Sequence, residues 1–482
     1  MKLFIHLSAV GTICFLSSCA TYQRSTVEFR NSWDQGDTVG ALANLESAGK
    51  SIKPGHDEEL LWNLEMSSVA RANQLPQLAE MHMNVAKELV DQNFGGGLID
   101  PQKKGLGEYV GKFHDRNLLE IYRALQALER KDSTRVQSSF NELRFKREEA
   151  RELNRKKIED AEDRASNTEN LKYQEVMDSG EISVSDFVNT ELSNKYAEFY
   201  NPFGDYLRLV LQNRMYNVGG VRNTKFDFGV SKNNLTSVLG RKNFLVRESP
   251  RRDDSATYVF METGSAPYRQ EKKIRLPLVL FYGGNPPGGV LYAPIAFPQL
   301  QYRDDYDSAF QVKSGGKGSP IRMEELVDLD AVISSEFKAD FPAEMAKALV
   351  QTVLAVASQA AIEAATKEQQ QDSVAVALFA AVAKVAVAES LTQADERSWY
   401  SVPKKVLVQK IPTPADGIVS VSSQSGQNIK AKVNPNSHTN FVYLKSIRKG
   451  SPIKQLANFS IDSALASHGN GDERTLALSQ SF

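Results

Sequence analysis

Leu118-Leu119-Glu120-Ile121-Tyr122-Arg123-Ala124-Leu125, continued by Leu128, sets the reading of the first half of this chain. Its apolar residues recur three and four apart, so they line one broad helical face. Lys131-Asp132-Ser133 then reads as a turn, and a second helix starts near Thr134 and runs past Glu162. Upstream, Glu58 to Asn73 carries Leu60, Leu61, Leu64 and Val69 at near-helical spacing, and Pro76 opens a helix with Leu78, Met81, Val85 and Leu89. Proline suits a first helical turn because its missing N–H has no partner there anyway. Two helical hairpins therefore precede residue 165, and Glu191 to Met215 resumes the amphipathic pattern with Tyr196, Phe199, Phe203, Tyr206 and Leu207.

The grammar changes after Tyr216, where Gly, Pro, Asn and aromatic residues dominate up to Lys313. Ile274 to Tyr282 and Val290 to Leu300 flank a Gly/Pro connector and predict a strand hairpin, with Pro277, Pro294 and Pro298 arguing for edge positions. Met323 to Lys338 reads as helix. Met345 to Ala365 and Val374 to Leu391 form an alanine-rich helical hairpin. Lys405–Ile411, Ile418–Ser422, Ile429–Val433 and Asn440–Ile447 alternate and predict a small antiparallel unit. The expected fold class is α+β: TPR-like helical hairpins, then a β-rich domain interrupted by the alanine-rich hairpin. "TPR-like" denotes stacked helix pairs, since no strict repeat period aligns. The expected divisions are a signal peptide (1–18), a lipidated tether (19–32), a TPR-like helical domain (33–215), an α+β domain (216–460) containing the alanine-rich hairpin (344–392), and a disordered tail (461–482).

The first residues give the address. Met1-Lys2 precede an apolar stretch, Leu3 to Leu16, too short for a comfortable membrane span. Leu16-Ser17-Ser18-Cys19 is similar to a bacterial lipobox, which implies diacylglycerol on the Cys19 thiol, cleavage before Cys19 and an N-acyl chain on the new amine. Two or more chains give durable attachment, where one is marginal. Of the two cysteines, Cys14 leaves with the signal and Cys19 becomes a thioether, so the mature chain is expected to have no disulfide, thiol nucleophile or cysteine metal site. Ala20, in place of an aspartate, favours the outer membrane by analogy with other lipoproteins. The net charge of -1 over 482 residues gives no nucleic-acid footprint.

Candidate chemistry is sparse. The mature histidines His56, His82, His114, His438 and His468 show no metal-ligand spacing. Ser314-Gly315-Gly316-Lys317-Gly318-Ser319 lacks the spacing of a phosphate loop and reads as a turn. Asp304-Asp305-Tyr306-Asp307 lacks the spaced ligands of a calcium loop and reads as a solvated loop. Asp395, Arg397 and Trp399 sit where the alanine-rich hairpin hands over to strands. They read as a structural hinge, Trp399 buried and Arg397 paired with a carboxylate; a binding edge is the alternative. Arg144 to Arg164, dense in alternating charge, reads as a solvated helix laced with ion pairs or as a projecting arm. The alanine-rich hairpin has three readings: core, an interface between copies, or insertion into the bilayer, the last opposed by Lys347 and Lys384.

The lipobox, Leu118 to Leu125, Asn201-Pro202-Phe203-Gly204-Asp205-Tyr206-Leu207, Ile295-Ala296-Phe297-Pro298 and Ala394-Asp395-Glu396-Arg397-Ser398-Trp399 together resemble an uncharacterised family of bacterial lipoproteins with a TPR-like N-terminal half and a β-containing C-terminal half. The resemblance implies an outer-membrane, periplasm-facing address and an accessory role in the envelope. The expected function is a non-enzymatic scaffold that binds the bilayer through its acyl chains and other envelope proteins through its helical half, with no further cofactor. An envelope enzyme acting on glycan or peptide, and an oligomeric export or channel accessory, are the alternatives.

Overall fold

The computed structural model describes residues 18–52, 55–94, 109–168, 171, 173–180, 182–215, 224–240, 255–280, 289–316, 318–367 and 394–461. Helices come first: α1 (Ser18–Ser25), α2 (Val27–Asp34), α3 (Thr38–Gly49), α4 (Glu59–Ala72), α5 (Pro76–Phe94), α6 (Phe113–Arg130), α7 (Ser133–Ser166), α8 (Tyr173–Asp178), α9 (Thr190–Ser193), α10 (Pro202–Met215) and α11 (Thr224–Leu239). Strands β1 (Ala256–Thr263), β2 (Tyr268–Leu280), β3 (Gly289–Gln301), β4 (Phe310–Ser314), β5 (Ile321–Arg322) and β6 (Glu324–Asp328) lead into the long helix α12 (Leu329–Lys367). The chain ends in β7 (Lys405–Pro412), β8 (Ile418–Ser423), β9 (Asn428–Lys432), β10 (Thr439–Ser446) and β11 (Lys454–Ile461). The protein is α+β, with a helical first half and a β-rich second half.

The α6–α7 turn shows how local chemistry sets the hairpins. Lys131 adopts a left-handed conformation (φ 64°), and the Asp132 side chain accepts from Arg135 N at 3.0 Å to cap α7. The charged stretch of α7 lies along α12. Lys157 reaches Asp340 and Glu344 at 3.3 and 3.1 Å, and Asn154 donates to the Ala339 carbonyl at 3.0 Å. That part of the helix is docked and does not project.

A five-stranded sheet in the order β11-β10-β1-β7-β6 forms the middle layer. One face carries Tyr258, Phe260, Val406, Val408, Phe441 and Tyr443 into a core shared with Leu118, Tyr122, Phe203, Tyr206 and Met345 from the helices. The other face carries Val259, Met261, Leu407, Val442 and Leu444 onto Phe310, Val312, Val419 and Val421 of a second sheet, ordered β5-β4-β8-β9. The layers are helix, sheet, sheet. Both faces of β1 are covered, and all eight of its residues are buried. β2 and β3 form a separate two-stranded hairpin, so both are edge strands, as the three prolines require.

Several expectations are corrected. The segment 19–32, expected as a polar tether, is helical and packed: Phe29 and Trp33 are fully buried and Tyr22 nearly so. Tyr22, Thr26, Phe29 and Trp33 form a helical stripe, and burying it outweighs the polar residues between. Residues 405–447 do not form one antiparallel unit. β7 and β10 flank β1, and β10 pairs with β1 in parallel, while β8 and β9 join the other sheet. Glu324–Asp328 is strand, α11 occupies part of the Gly/Pro-rich stretch, and Glu191–Met215 is split between α9 and α10. Met323–Lys338 and Met345–Ala365, read as separate helices, belong to the one helix α12 from Leu329 on, and Pro342 lies inside it. An interior proline costs about 3 kcal/mol, and the buried stripe Phe337, Phe341, Met345, Ala346 and Leu349 continues through it. The start of the alanine-rich hairpin is therefore core; its expected second arm lies outside the described residues, as do the expected signal peptide up to Ser17, His468 and the expected tail after Ile461. Ile461, grouped with the tail in the sequence, closes β11. Among the described residues, no helix is long and apolar enough to cross a membrane.

Candidate functional site

The helical half meets the sheet along a seam, and a cleft of about 210 Å³ opens there. Arg71 of α4 sits at its base between two rings, 4.2 Å from the Tyr122 centroid and 5.3 Å from that of Tyr443. Pro76 and Leu75 form one wall; Gln455 to Phe459 of β11, the outermost strand of the five-stranded sheet, forms the other. Gln74 closes one end by donating to the Gln455 carbonyl at 3.4 Å. Leu75 is 40% exposed on the rim, and Glu129 and Gln126 add polar groups.

Behind Arg71 the seam holds an ion pair. Glu262 accepts from Tyr443 Oη and from Lys445 Nζ, each at 2.7 Å. Burial opposes ionisation of Glu262, but Lys445 and Arg71 outweigh it and hold the carboxyl below its ordinary range. Burial, with Glu262 beside them, pushes the Tyr122 and Tyr443 phenols well above theirs. The cleft thus offers a fixed cation on aromatic faces, an apolar wall and a strand edge. Among the described residues its lining includes no histidine and no aliphatic hydroxyl or thiol, and its phenols are held protonated. The arrangement suits binding of an extended, carboxylate-bearing chain better than nucleophilic catalysis.

Asp395, Arg397 and Trp399 lie in a second cluster, which meets the seam where the Trp399 ring packs against Tyr122. Arg397 Nε donates to Asp395 Oδ1 at 2.8 Å, and its guanidinium also lies 3.7 Å from Glu58 and over the Tyr109 ring. Burial works against the Asp395 carboxylate, but Arg397 holds it below its ordinary range. Trp399 is 2% exposed; Nε1 donates to Ser68 and Ser401 Oγ at 3.1 Å, and its ring meets Tyr122 edge-on at 6.0 Å. Nearby, Glu336 of α12 caps α6 by accepting from Phe113 N and His114 N at 2.7 and 2.9 Å, and pairs with His114 Nδ1 at 2.7 Å. Burial opposes the His114 cation, but Asp115 and Glu336 raise its pKa above the ordinary value. Lys112 joins Asp340 and Glu344 at 3.4 Å. Cations and carboxylates alternate here, which is the condition for keeping charges out of water.

One buried acid stands apart. Glu65 of α4 accepts from Ser401 N at 3.1 Å, from the Ser401 hydroxyl and from Tyr400 N. Burial nonetheless pushes its carboxyl up to about 7, because those donors only partly offset it. The folded state therefore holds the proton more tightly than the unfolded state, so stability falls as pH rises from 4.5 to 7 and is flat above. The shift corresponds to about 3 kcal/mol. Glu65→Gln is expected to flatten this step in urea-unfolding free energies measured across pH 4 to 8, relative to wild type.

The other sequence candidates disperse. His56 pairs with Glu58 at 2.7 Å, His82 lies against Asn63 Oδ1 at 2.8 Å, and His438 contacts Thr439. Burial lowers the His82 pKa to about 4, so its ring is neutral. Among the described residues, no three His, Cys, Asp or Glu side chains converge as metal ligands. Gly316 N donates to the Asp416 carboxylate at 3.2 Å, so an acid occupies the place a phosphate would need. Asp304 and Asp305 are exposed, as in a solvated loop, but Asp307 departs from that reading: it is 1% exposed and accepts from Ser425 N, Ser425 Oγ and Gly450 N at 2.7–3.1 Å. Cys19 lies in α1.

Sequence reasoning missed Arg71, Glu262 and Lys445. A signal existed: Glu262 and Lys445 each interrupt a strongly apolar strand near its C-terminal end, where a lone charge needs a partner. No family model, curated protein or solved structure matches this chain.

Proposed function

We propose that this chain is a lipid-anchored lipoprotein of the bacterial envelope, held in the outer membrane and facing the periplasm, that works by binding another polypeptide in the seam cleft. The lipobox at Leu16–Cys19 and Ala20 support the address. The observation that carries the binding reading is the cleft itself, which sets the edge strand β11 opposite Arg71 on its two tyrosine rings. Strand edges give main-chain hydrogen bonds to an added segment, and a guanidinium on aromatic faces takes a carboxylate.

Two measurements test it. Cys19→Ala is expected to leave the precursor uncleaved and without acyl chains, read by the mass of the N-terminal peptide; a processed, membrane-bound Cys19→Ala protein removes the lipoprotein reading. A photo-crosslinking residue at Leu75 is expected to capture a defined polypeptide in intact cells. The same residue at Ala415, on the opposite end of the sheet, is expected to capture none. Equal yields at the two positions remove the cleft as the binding site.

A further inference from the structure

Helix α1 ties the N-terminal end of the described chain to the body. Tyr22, three residues after Cys19, is 6% exposed and belongs to the main core. Only Thr26 separates α1 from α2; it is buried, and its hydroxyl donates to the Tyr22 carbonyl at 2.8 Å. Gln23 donates to the Glu396 carbonyl at 2.8 Å, and Arg30 donates back to the Gln23 carbonyl at 2.6 Å. The chain is thus fastened to the body immediately after the residue that carries the lipid.

The length of chain between Cys19 and Tyr22 limits how far the body can stand from the lipid. Along a helix, three residues advance about 4.5 Å, and even fully extended they span at most about 11 Å. A free tether of 19–32 would reach about 45 Å. The polar layer on each side of a bilayer is only about 6 Å thick. Acyl chains on Cys19 therefore leave no room for the body to stand away from the headgroups.

We propose that the face built from α1, the Ala394–Ser398 segment and the first half of β2 is a membrane-apposed surface that rests on phospholipid headgroups. This rests on the lipoprotein reading above and adds an orientation to it. The segment and the strand are joined at this face: Ala394 N donates to Glu271 Oε2 at 3.0 Å, and Glu271 N donates to Glu396 Oε1 at 2.6 Å. Lys273 and Arg275 follow Glu271 on the same side of the strand, and both are exposed, as is Arg24 of α1. Among the described residues of this face the exposed acid is Glu28; the carboxylates of Glu271 and Glu396 accept from backbone N–H groups, and Glu271 also lies 3.6 Å from Lys273 Nζ. Exposed cations beside an acyl anchor suit an anionic headgroup layer.

The opposite pole is also defined. The Thr263 end of the five-stranded sheet lies near Trp33, which donates to Ser265 at 3.3 Å, whereas Pro412 and the exposed Ala415 lie beyond its Ala256 end. The seven steps from Ala256 to Thr263 separate the ends by about 23 Å.

The mature protein has no other cysteine, so single labels are specific. The lipidated protein with Arg24→Cys, Lys273→Cys or Ala415→Cys is labelled with an environment-sensitive fluorophore and reconstituted in phosphatidylglycerol-containing vesicles bearing a headgroup-attached quencher. Labels at 24 and 273 are expected to be strongly quenched and the label at 415 untouched. A long Gly/Ser linker inserted between Ala20 and Thr21 is expected to keep lipidation and erase the difference. Equal quenching at the three positions without the linker overturns the proposal. An N-terminal peptide mass without acyl chains instead overturns the lipoprotein reading, so the two failures are distinguishable.

Discussion

Lys445→Met is expected to lower the unfolding free energy by about 3–5 kcal/mol, as a buried charge left without its partner does. Lys445 and Glu262 are register partners on the parallel strands β10 and β1, 4% and 1% exposed, with Nζ 2.7 Å from Oε2. Lys445 also lies 5.3 Å from the Trp33 ring. Removing the ammonium leaves Glu262 with the Tyr443 and Tyr122 hydroxyls and the more distant Arg71, inside a wall of aromatic side chains. Adding Glu262→Gln to Lys445→Met removes the stranded charge, so the double variant is expected to recover at least half of the loss. Urea midpoints of the two variants check this. A double variant less stable than Lys445→Met would mean that the pair contributes through packing and not through charge.

That pair also marks where sequence reasoning stops. The helical hairpins were legible because their contacts are local: the stripe Leu118, Leu119, Ile121, Tyr122 and Leu125 is buried as its period requires. The helix-capping and turn residues at Lys131 and Asp132 act within a few positions, and they too were readable. Sheet order was not. β1 inserts between β7 and β10, more than 140 residues away in the chain, and periodicity within a strand carries no information about its neighbours. The same limit hid the cleft, whose Arg71, Tyr122 and Tyr443 come from three separate elements. The misread tether was of another kind. Its stripe at Tyr22, Thr26, Phe29 and Trp33 was present, but Arg24, Ser25, Glu28 and Arg30 dominated the composition. Period should have outweighed composition there.

Trp399→Ala is expected to cost about 3–5 kcal/mol, the range for deleting a buried large aromatic. The indole fills the seam between α4, α6 and the start of the β-rich terminal segment, with Tyr122 edge-on at 6.0 Å. Its N–H spans the two halves by donating to Ser68 of α4 and to Ser401 at 3.1 Å each. Trp399→Phe keeps most of the ring contact and removes the donor, so about 1–2 kcal/mol is expected. The two variants separate the two readings of this junction. A packed hinge loses stability in that order, and Leu75 crosslinking in the Phe variant stays at the wild-type yield. A binding edge would leave the unfolding midpoint unchanged and reduce partner capture. Full burial of Trp399, and the bond from Arg397 to Asp395 two residues before it, favour the first outcome. An interface residue with 2% of its surface exposed has almost nothing left to offer a partner.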